Sequence, residues 1–229
     1  MAVLSLTGYR LYIVYSEIWS QGGMSPRPYR SSRRRLAAER TRARLLKAAS
    51  AALAAREVIS LDAVAKRAGV TRLTVYNQFG SRRALLEAVF DDMAERGGLH
   101  HRIGEAMTNI DPHAALRQIV AIFCDFWSVY HGALWRLHAA SATDPEFEES
   151  LRARDDRRRH LLSVLVDRMM KSRHKRPEVV AELVDGLFAL TSVAFFSEFT
   201  AGGHNKRAAC RLIQVLAADV VRRTLADTE

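Results

Sequence analysis

Apolar residues recur along this chain at the three- and four-residue spacing of amphipathic helices, with no useful run of strand-like alternation. From Ser32 to Arg56 the chain is rich in Ala, Leu and Arg, and Leu45, Leu46, Ala49 and Leu53 keep helical spacing, which predicts a first helix. Ser60-Leu61-Asp62 reads as a helix start, a hydroxyl N-cap with an acid in the first turn; Leu61, Val64, Ala65 and Ala68 then share one face. Gly69 supplies a left-handed stop and Thr71 a new N-cap. Leu73, Val75, Tyr76 and Phe79 carry a second short helix that Gly80 ends. Ser81 caps a longer one, which buries Leu85, Leu86, Val89, Phe90 and Met93 on its inner face.

Later starts are as legible. Asp111-Pro112 is an N-cap followed by Pro at the first helical position, and the helix behind it holds Leu116, Ile119, Phe123, Phe126, Trp127 and Tyr130. Gly132 is expected to divide it from a segment around Leu134–His138. Asp144-Pro145 opens a charged helix to about Lys171, Pro177 an apolar one to about Thr200, and a last helix runs from Lys206 to Ala226 after the Gly202-Gly203 break. The fold class is all-α. Val179–Phe196 is the best candidate for a membrane span, but Glu182 and Asp185 make it a core helix, so no membrane partner is expected. Residues 1–23 fit nothing that follows. Arg10 and Glu17 interrupt their apolar patches, no signal-peptide cleavage site follows, and Met24 reads as the true start, with a real tail as the alternative. The expected location is the cytoplasm.

Composition and charge narrow the function. A chain of 229 residues with 48% apolar content can bury one large or two modest cores. The formal net charge of +10 is concentrated: residues 24–86 hold 15 Lys and Arg against 3 Asp and Glu, whereas residues 101–229 hold 18 against 17. A local basic excess is the footprint of polyanion binding. Two cysteines, Cys124 and Cys210, exclude a disulfide scaffold; they read as small buried apolar residues, a redox pair being the other reading, with nothing in the sequence to support it. His100-His101 and His131…His138 lack metal-ligand spacing. GxGxxG, GxSxG, HExxH, P-loop and CxxC motifs are all missing, so neither an enzyme nor a cofactor is expected.

Two short helices joined by a Gly-containing turn suggest a helix-turn-helix. With Leu61 as the first position, Ala65 is fifth and lets the second helix cross closely; Gly69, ninth, makes the turn; Val75, fifteenth, packs the crossing. The run LDAVAKRAGVTRLTVYNQFGSRRALLEAV resembles the DNA-binding signature of the tetracycline-repressor (TetR) family of transcription regulators, over roughly residues 43–90. Ala68-Gly69-Val70-Thr71, Thr74-Val75-Tyr76, Phe79-Gly80-Ser81 and Leu85-Leu86 carry the match. The resemblance implies a tail and basic arm over 1–31, a three-helix DNA-binding domain over 32–80, and a larger helical ligand-binding and dimerisation domain over 81–229, with Ser81–Gly97 as the linking helix. Two departures stand out. Ala54–Ile59 lacks the Gly most relatives carry and makes a shorter loop, and Leu73 stands where many have Gly.

In a helix-turn-helix the N-terminal part of the second helix meets base edges and the first crosses the backbone. Arg72 is expected to donate to a guanine edge, Leu73 to touch a thymine methyl, and Thr71 and Thr74 to reach bases or phosphates. The resemblance assigns Tyr76 to a phosphate; Asn77 and Gln78 follow it, and packing allows one of them, not both, to reach DNA. Ser60 and Ser81, at helix N-termini, are expected at phosphates as well as in their caps, and Arg82 and Arg83 near them. The arm Arg27, Arg30, Arg33, Arg34 and Arg35 suits a narrow minor groove or acts as a general phosphate-seeking tail.

The resemblance further implies a homodimer through the last two helices, with Val180, Leu183, Leu187, Leu190 and Ala194 on one and Ala209, Leu212, Ile213, Leu216, Val220 and Val221 on the other. An aromatic second half suits a small-molecule pocket, for which Phe123, Trp127 and Thr191 are the candidates. The leading expectation is a dimeric, sequence-specific repressor of a palindromic double-stranded DNA operator, released by a small apolar or aromatic effector. The second is a non-specific, nucleoid-type DNA binder without a ligand.

Overall fold

The computed structural model describes residues 28–55, 57–170 and 176–226. Among these residues there are ten helices and no strand: α1 Pro28–Ala54, α2 Leu61–Ala68, α3 Arg72–Phe79, α4 Arg82–Arg96, α5 Leu99–Met107, α6 Pro112–Ser141, α7 Pro145–Met169, α8 Pro177–Leu190, α9 Val193–Ala201 and α10 Lys206–Ala226. The tail, Met24 and Arg27 lie outside the described residues. Two compact units divide between Thr41 and Arg42. In the first, α1 already begins at Pro28, four residues earlier than its composition suggested, so Arg30, Arg33, Arg34 and Arg35 stand on a helix and do not form an extended arm. The side chains of residues 33–40 are exposed.

From Arg42 onward the chain is one unit around one core. Leu45, Ala49 and Leu53 of α1, Val64 and Ala65 of α2, Val75 and Phe79 of α3, and Leu85, Leu86 and Val89 of α4 belong to the same buried cluster as Ile119, Leu165 and Ile213 of the body. No break falls at Gly80-Ser81, because α4 buries residues toward both. Each fully buried Leu contributes about 1.5–3 kcal/mol.

The helix starts follow local chemistry. The side chains of Ser60, Thr71, Ser81, Asp111, Asp144 and Ser192 accept from Ala63, Thr74, Ala84, His113, Phe147 and Phe195 backbone N–H groups, satisfying donors a helix leaves open.

Three stretches differ from the periodicity reading. α6 runs unbroken for 30 residues through Gly132. A mid-helix Gly costs about 0.5–1 kcal/mol, which burial of Leu134 and Leu137 just beyond it offsets. The apolar stretch from Pro177 breaks at Thr191-Ser192 into α8 and α9, bent by 49°. Ser192 caps α9 there, and Arg158 and Trp127 satisfy carbonyls around the break. α5 was not anticipated. The Gly97-Gly98 turn separates it from α4, and a side chain at Gly97 would meet the Phe126 ring at 3.0 Å. Among the described residues no single helix is long and apolar enough to cross a membrane.

Candidate nucleic-acid interface

The turn between α2 and α3 is built from backbone bonds. Gly69 takes a left-handed conformation, φ 65°, and its N–H donates to the Lys66 carbonyl at 3.3 Å while Val70 N–H donates to Ala65 at 3.0 Å. This 6→1 and 5→2 pair closes α2 and reverses the chain. Thr71 then caps α3, its hydroxyl 3.2 Å from Thr74 N–H and 2.9 Å from the Thr74 hydroxyl. Val75 is fully buried beneath the crossing, so the opposite side of α3 faces solvent.

Four side chains make that outer side. Arg72, Leu73, Tyr76 and Asn77 are exposed, at positions spanning an arc of about 140° at 100° per residue. Leu73 is 65% and Tyr76 55% exposed, so two large side chains face water on this side of α3. Arg72 pairs with Asp62 at 3.4 Å, both side chains about two-thirds exposed. A pair so solvated holds its arginine by about 1 kcal/mol or less, so the guanidinium can exchange Asp62 for another acceptor. Thr74 is half-buried, turned from this arc toward Thr71. Ser60 and Ser81 are half-buried and engaged in their caps at 3.0 Å each.

The short loop after α1 is held from three sides. Glu57 accepts from Arg67 with both oxygens, at 2.7 and 2.9 Å; Ile59 is buried; and the Ile59 carbonyl accepts from Arg82 Nε at 2.8 Å. These contacts tie the loop to α2 and α4. They also change the reading of two arginines. Arg82, expected at a phosphate, has its Nε turned inward to Ile59, and Arg83 pairs with Glu87 and Glu146.

Arg42 lies outside the residues singled out from the sequence, yet it positions α3. It donates to the Gln78 carbonyl at 3.2 Å and its guanidinium lies 4.5 Å from the Phe79 ring centre, a cation at the C-terminal end of α3. The available signal was its place three residues before Leu45, which lays its stem along the buried stripe of α1.

Phe123, Trp127 and Thr191, expected around a ligand, are brought close together but serve the body itself. Phe123 and Trp127 stack at 5.7 Å and are buried. Trp127 Nε1 donates to the Thr191 carbonyl at 3.0 Å, while the Thr191 hydroxyl donates to Leu187 at 2.8 Å and receives Arg158 at 3.2 Å. With their polar atoms satisfied internally, these three form a packed joint at the α8–α9 break. Arg158 also donates to Phe188 O at 3.0 Å and Asp155 at 3.2 Å, and lies over the Phe188 ring. Burial pulls its guanidinium below the ordinary value, against the pull of Asp155. An open cavity of about 380 Å³ lies instead among His138, Ser141, Ala142, Glu148, Arg152 and Asp155. Loss of hydration lowers the His138 imidazole there, with Asp155 opposing.

Residues expected between two subunits divide similarly. Leu183, Leu187, Leu190, Ala209, Ile213 and Val221 are buried within their own chain, because α8 and α10 pack on each other and on α6 and α7. Val180, Leu212 and Val220 are half-buried, and Ala194 and Leu216 remain exposed, joined by Val215, 65% exposed.

Residues 45–89 match the family model of the bacterial regulatory proteins of the tetR family. No curated protein matches the chain. Among solved structures, the chain is similar to a TetR-like transcriptional regulator from Rhodococcus sp. RHA1, with 22% identity, 77% of this chain and 93% of that one covered, and a TM-score of 0.58. A second transcriptional regulator from Rhodococcus sp. Rha1 gives 19%, 81% and 96%, and 0.61. The TetR-like regulator LfrR from Mycobacterium smegmatis, solved in complex with proflavine, gives 23%, 80% and 96%, and 0.51.

Proposed function

We propose that this chain, whose residues 45–89 match the tetR family model, is a TetR-family transcription regulator that acts as a homodimer repressing transcription from a palindromic operator and is released by a small apolar or aromatic ligand. The observation that carries the reading is the solvent-facing arc of Arg72, Leu73, Tyr76 and Asn77 on a helix whose other side is anchored by Val75, Phe79 and Arg42. An exposed Arg, an exposed Leu and an exposed Tyr on one rigid helix fit a guanine edge, a thymine methyl and a phosphate. Thr71, Thr74, Ser60 and Ser81 add hydroxyls and helix N-termini for phosphates along the rim. Arg82 serves there with the nitrogens that Ile59 does not take.

Half-sites one turn apart, about 34–36 Å, call for two copies of α3 held at fixed spacing. The outer faces of α8, α9 and α10, with exposed Ala194, Val215 and Leu216, are the proposed contact between subunits. Release would be a population shift toward a dimer with wrongly spaced recognition helices, for which a coupling of about 1–3 kcal/mol is typical. Support for a route comes from Arg136 of α6, which donates to the Leu53 carbonyl at the end of α1, and from Arg96 of α4, 3.3 Å from the Ser50 hydroxyl. The proflavine bound by LfrR supports an aromatic effector class.

The test is selection of a random duplex library by the purified protein at near-physiological salt. An enriched palindrome with half-sites about one turn apart supports the dimeric regulator. The basic excess of residues 24–86 favours a second reading, non-specific binding, and tight binding at low salt without enrichment selects it.

A further inference from the structure

The two cysteines, 86 positions apart in sequence, meet in the fold. Cys124 sits midway along α6 and is buried; Cys210 sits near the start of α10 and is half-buried. α6 and α10 pack against each other, and Gln214 of α10 donates to the Arg117 carbonyl of α6 at 3.0 Å. Gln214 lies one turn beyond Cys210 and Arg117 two turns before Cys124, so the helices run antiparallel and the same seam carries both cysteines. There Cys124 and Cys210 are neighbours, each acting on the other's thiol. Cys210 shares the inward face of α10 with Ile213 and Ala217, each 1% exposed, whereas Val215 lies on the far side of that helix.

We propose that Cys210 and Cys124 form a thiol-oxidation site, in which a hydroperoxide oxidises Cys210 and Cys124 resolves the product into a disulfide tying α10 to α6. The assignment of roles follows exposure: a small oxidant reaches the half-buried sulfur first. The neighbouring Cys124 also holds Cys210 below the ordinary thiol range, with burial and Asp125 opposing. Cys210, burial and Asp125 push Cys124 up.

In the first step the Cys210 thiolate attacks the peroxide, the O–O bond breaks, and hydroxide leaves to take up a proton as water. Cys210 is then a sulfenic acid. In the second, Cys124 gives up its proton, its sulfur attacks the sulfenic sulfur, the S–O bond breaks, and a second water leaves. Two thiols lose two electrons and one hydrogen peroxide gains them. A dithiol reductant reverses the disulfide.

The proposal does not depend on the DNA-binding reading. Its test uses the full chain, fully reduced and then exposed to hydrogen peroxide. The expected product has lost two hydrogens, yields one peptide pair joined through Cys124 and Cys210, returns to the starting mass with dithiothreitol, and melts several degrees higher. In Cys124→Ala, dimedone should trap a sulfenic acid on Cys210; in Cys210→Ala, Cys124 should stay alkylatable. Circular dichroism checks that each variant is folded, and dimedone labelling of the wild type at early times replaces any variant that is not. The proposal is overturned if both thiols stay alkylatable after peroxide, if Cys124 is the sulfur trapped first, or if the disulfide formed joins two chains.

Discussion

Helix α3 and the helical body handle the same kinds of side chain in opposite ways. Thr71 and Thr191 are both threonines at a helix boundary, yet Thr71 is exposed at the start of α3 and Thr191 is 2% exposed at the α8–α9 break. Arg72 holds a solvated pair with Asp62, whereas Arg158, its side chain 10% exposed, reaches the Phe188 carbonyl, the Thr191 hydroxyl and Asp155. The contrast separates contact from support. A polar group already desolvated and satisfied inside the fold cannot turn to a ligand without leaving acceptors bare, at about 1–3 kcal/mol each. One that faces water exchanges partners cheaply.

The largest expected effect lies in the body. Arg158→Ala strips Asp155, the Phe188 carbonyl and the Thr191 hydroxyl of a donor together; Asp155 is 46% exposed and can turn to water, so the expected loss is that of the two other acceptors, about 1–3 kcal/mol each. Urea denaturation reads this directly, and a loss below 1 kcal/mol would place Arg158 with the solvated arginines. The mirror experiment is Arg72→Ala. It should leave the urea midpoint nearly unchanged and cost about 1–3 kcal/mol of DNA affinity at one base position. A uniform loss across sequences would make Arg72 a phosphate contact.

Smaller effects test the frame between these regions. No atom lies within 4 Å of a Cβ at Gly69, so Gly69→Ala should cost only the left-handed backbone term, about 1–2 kcal/mol, and Gly69→Asn less. A larger loss in thermal melts would reveal a steric role. Glu57→Gln should change stability by about 1 kcal/mol or less, because its pair with Arg67 is substantially exposed on both sides. A strong effect on DNA binding without one on stability would show that this pair sets the placement of α2.

Legibility follows the range of the interactions. Ser60, Thr71 and Ser81 were readable as caps because a cap joins residues three apart. Gly69 was readable because its turn closes within six residues. The exposed arc of α3 followed from the burial of Val75 and Phe79 at helical spacing. Gly132 misled because a local penalty of about 1 kcal/mol is small against burial contributed by distant helices. The α8–α9 break was hidden inside an apolar run, although Ser192, three residues before Phe195, carried a cap signal of the same kind as Ser60.

By itself, then, the sequence determined the all-α class, most of the helix starts, the turn at Gly69 and which side of α3 stays exposed, because each depends on near neighbours. Only the tertiary structure decided that Arg82 turns to Ile59 and Arg42 to α3, that Phe123, Trp127 and Thr191 close on one another around Arg158, and that Cys124 meets Cys210. Most of these contacts join residues distant in sequence, from 23 positions for Ile59 and Arg82 to 86 for Cys124 and Cys210. They depend on how helices cross, a property of the packed core that no stretch of chain carries alone.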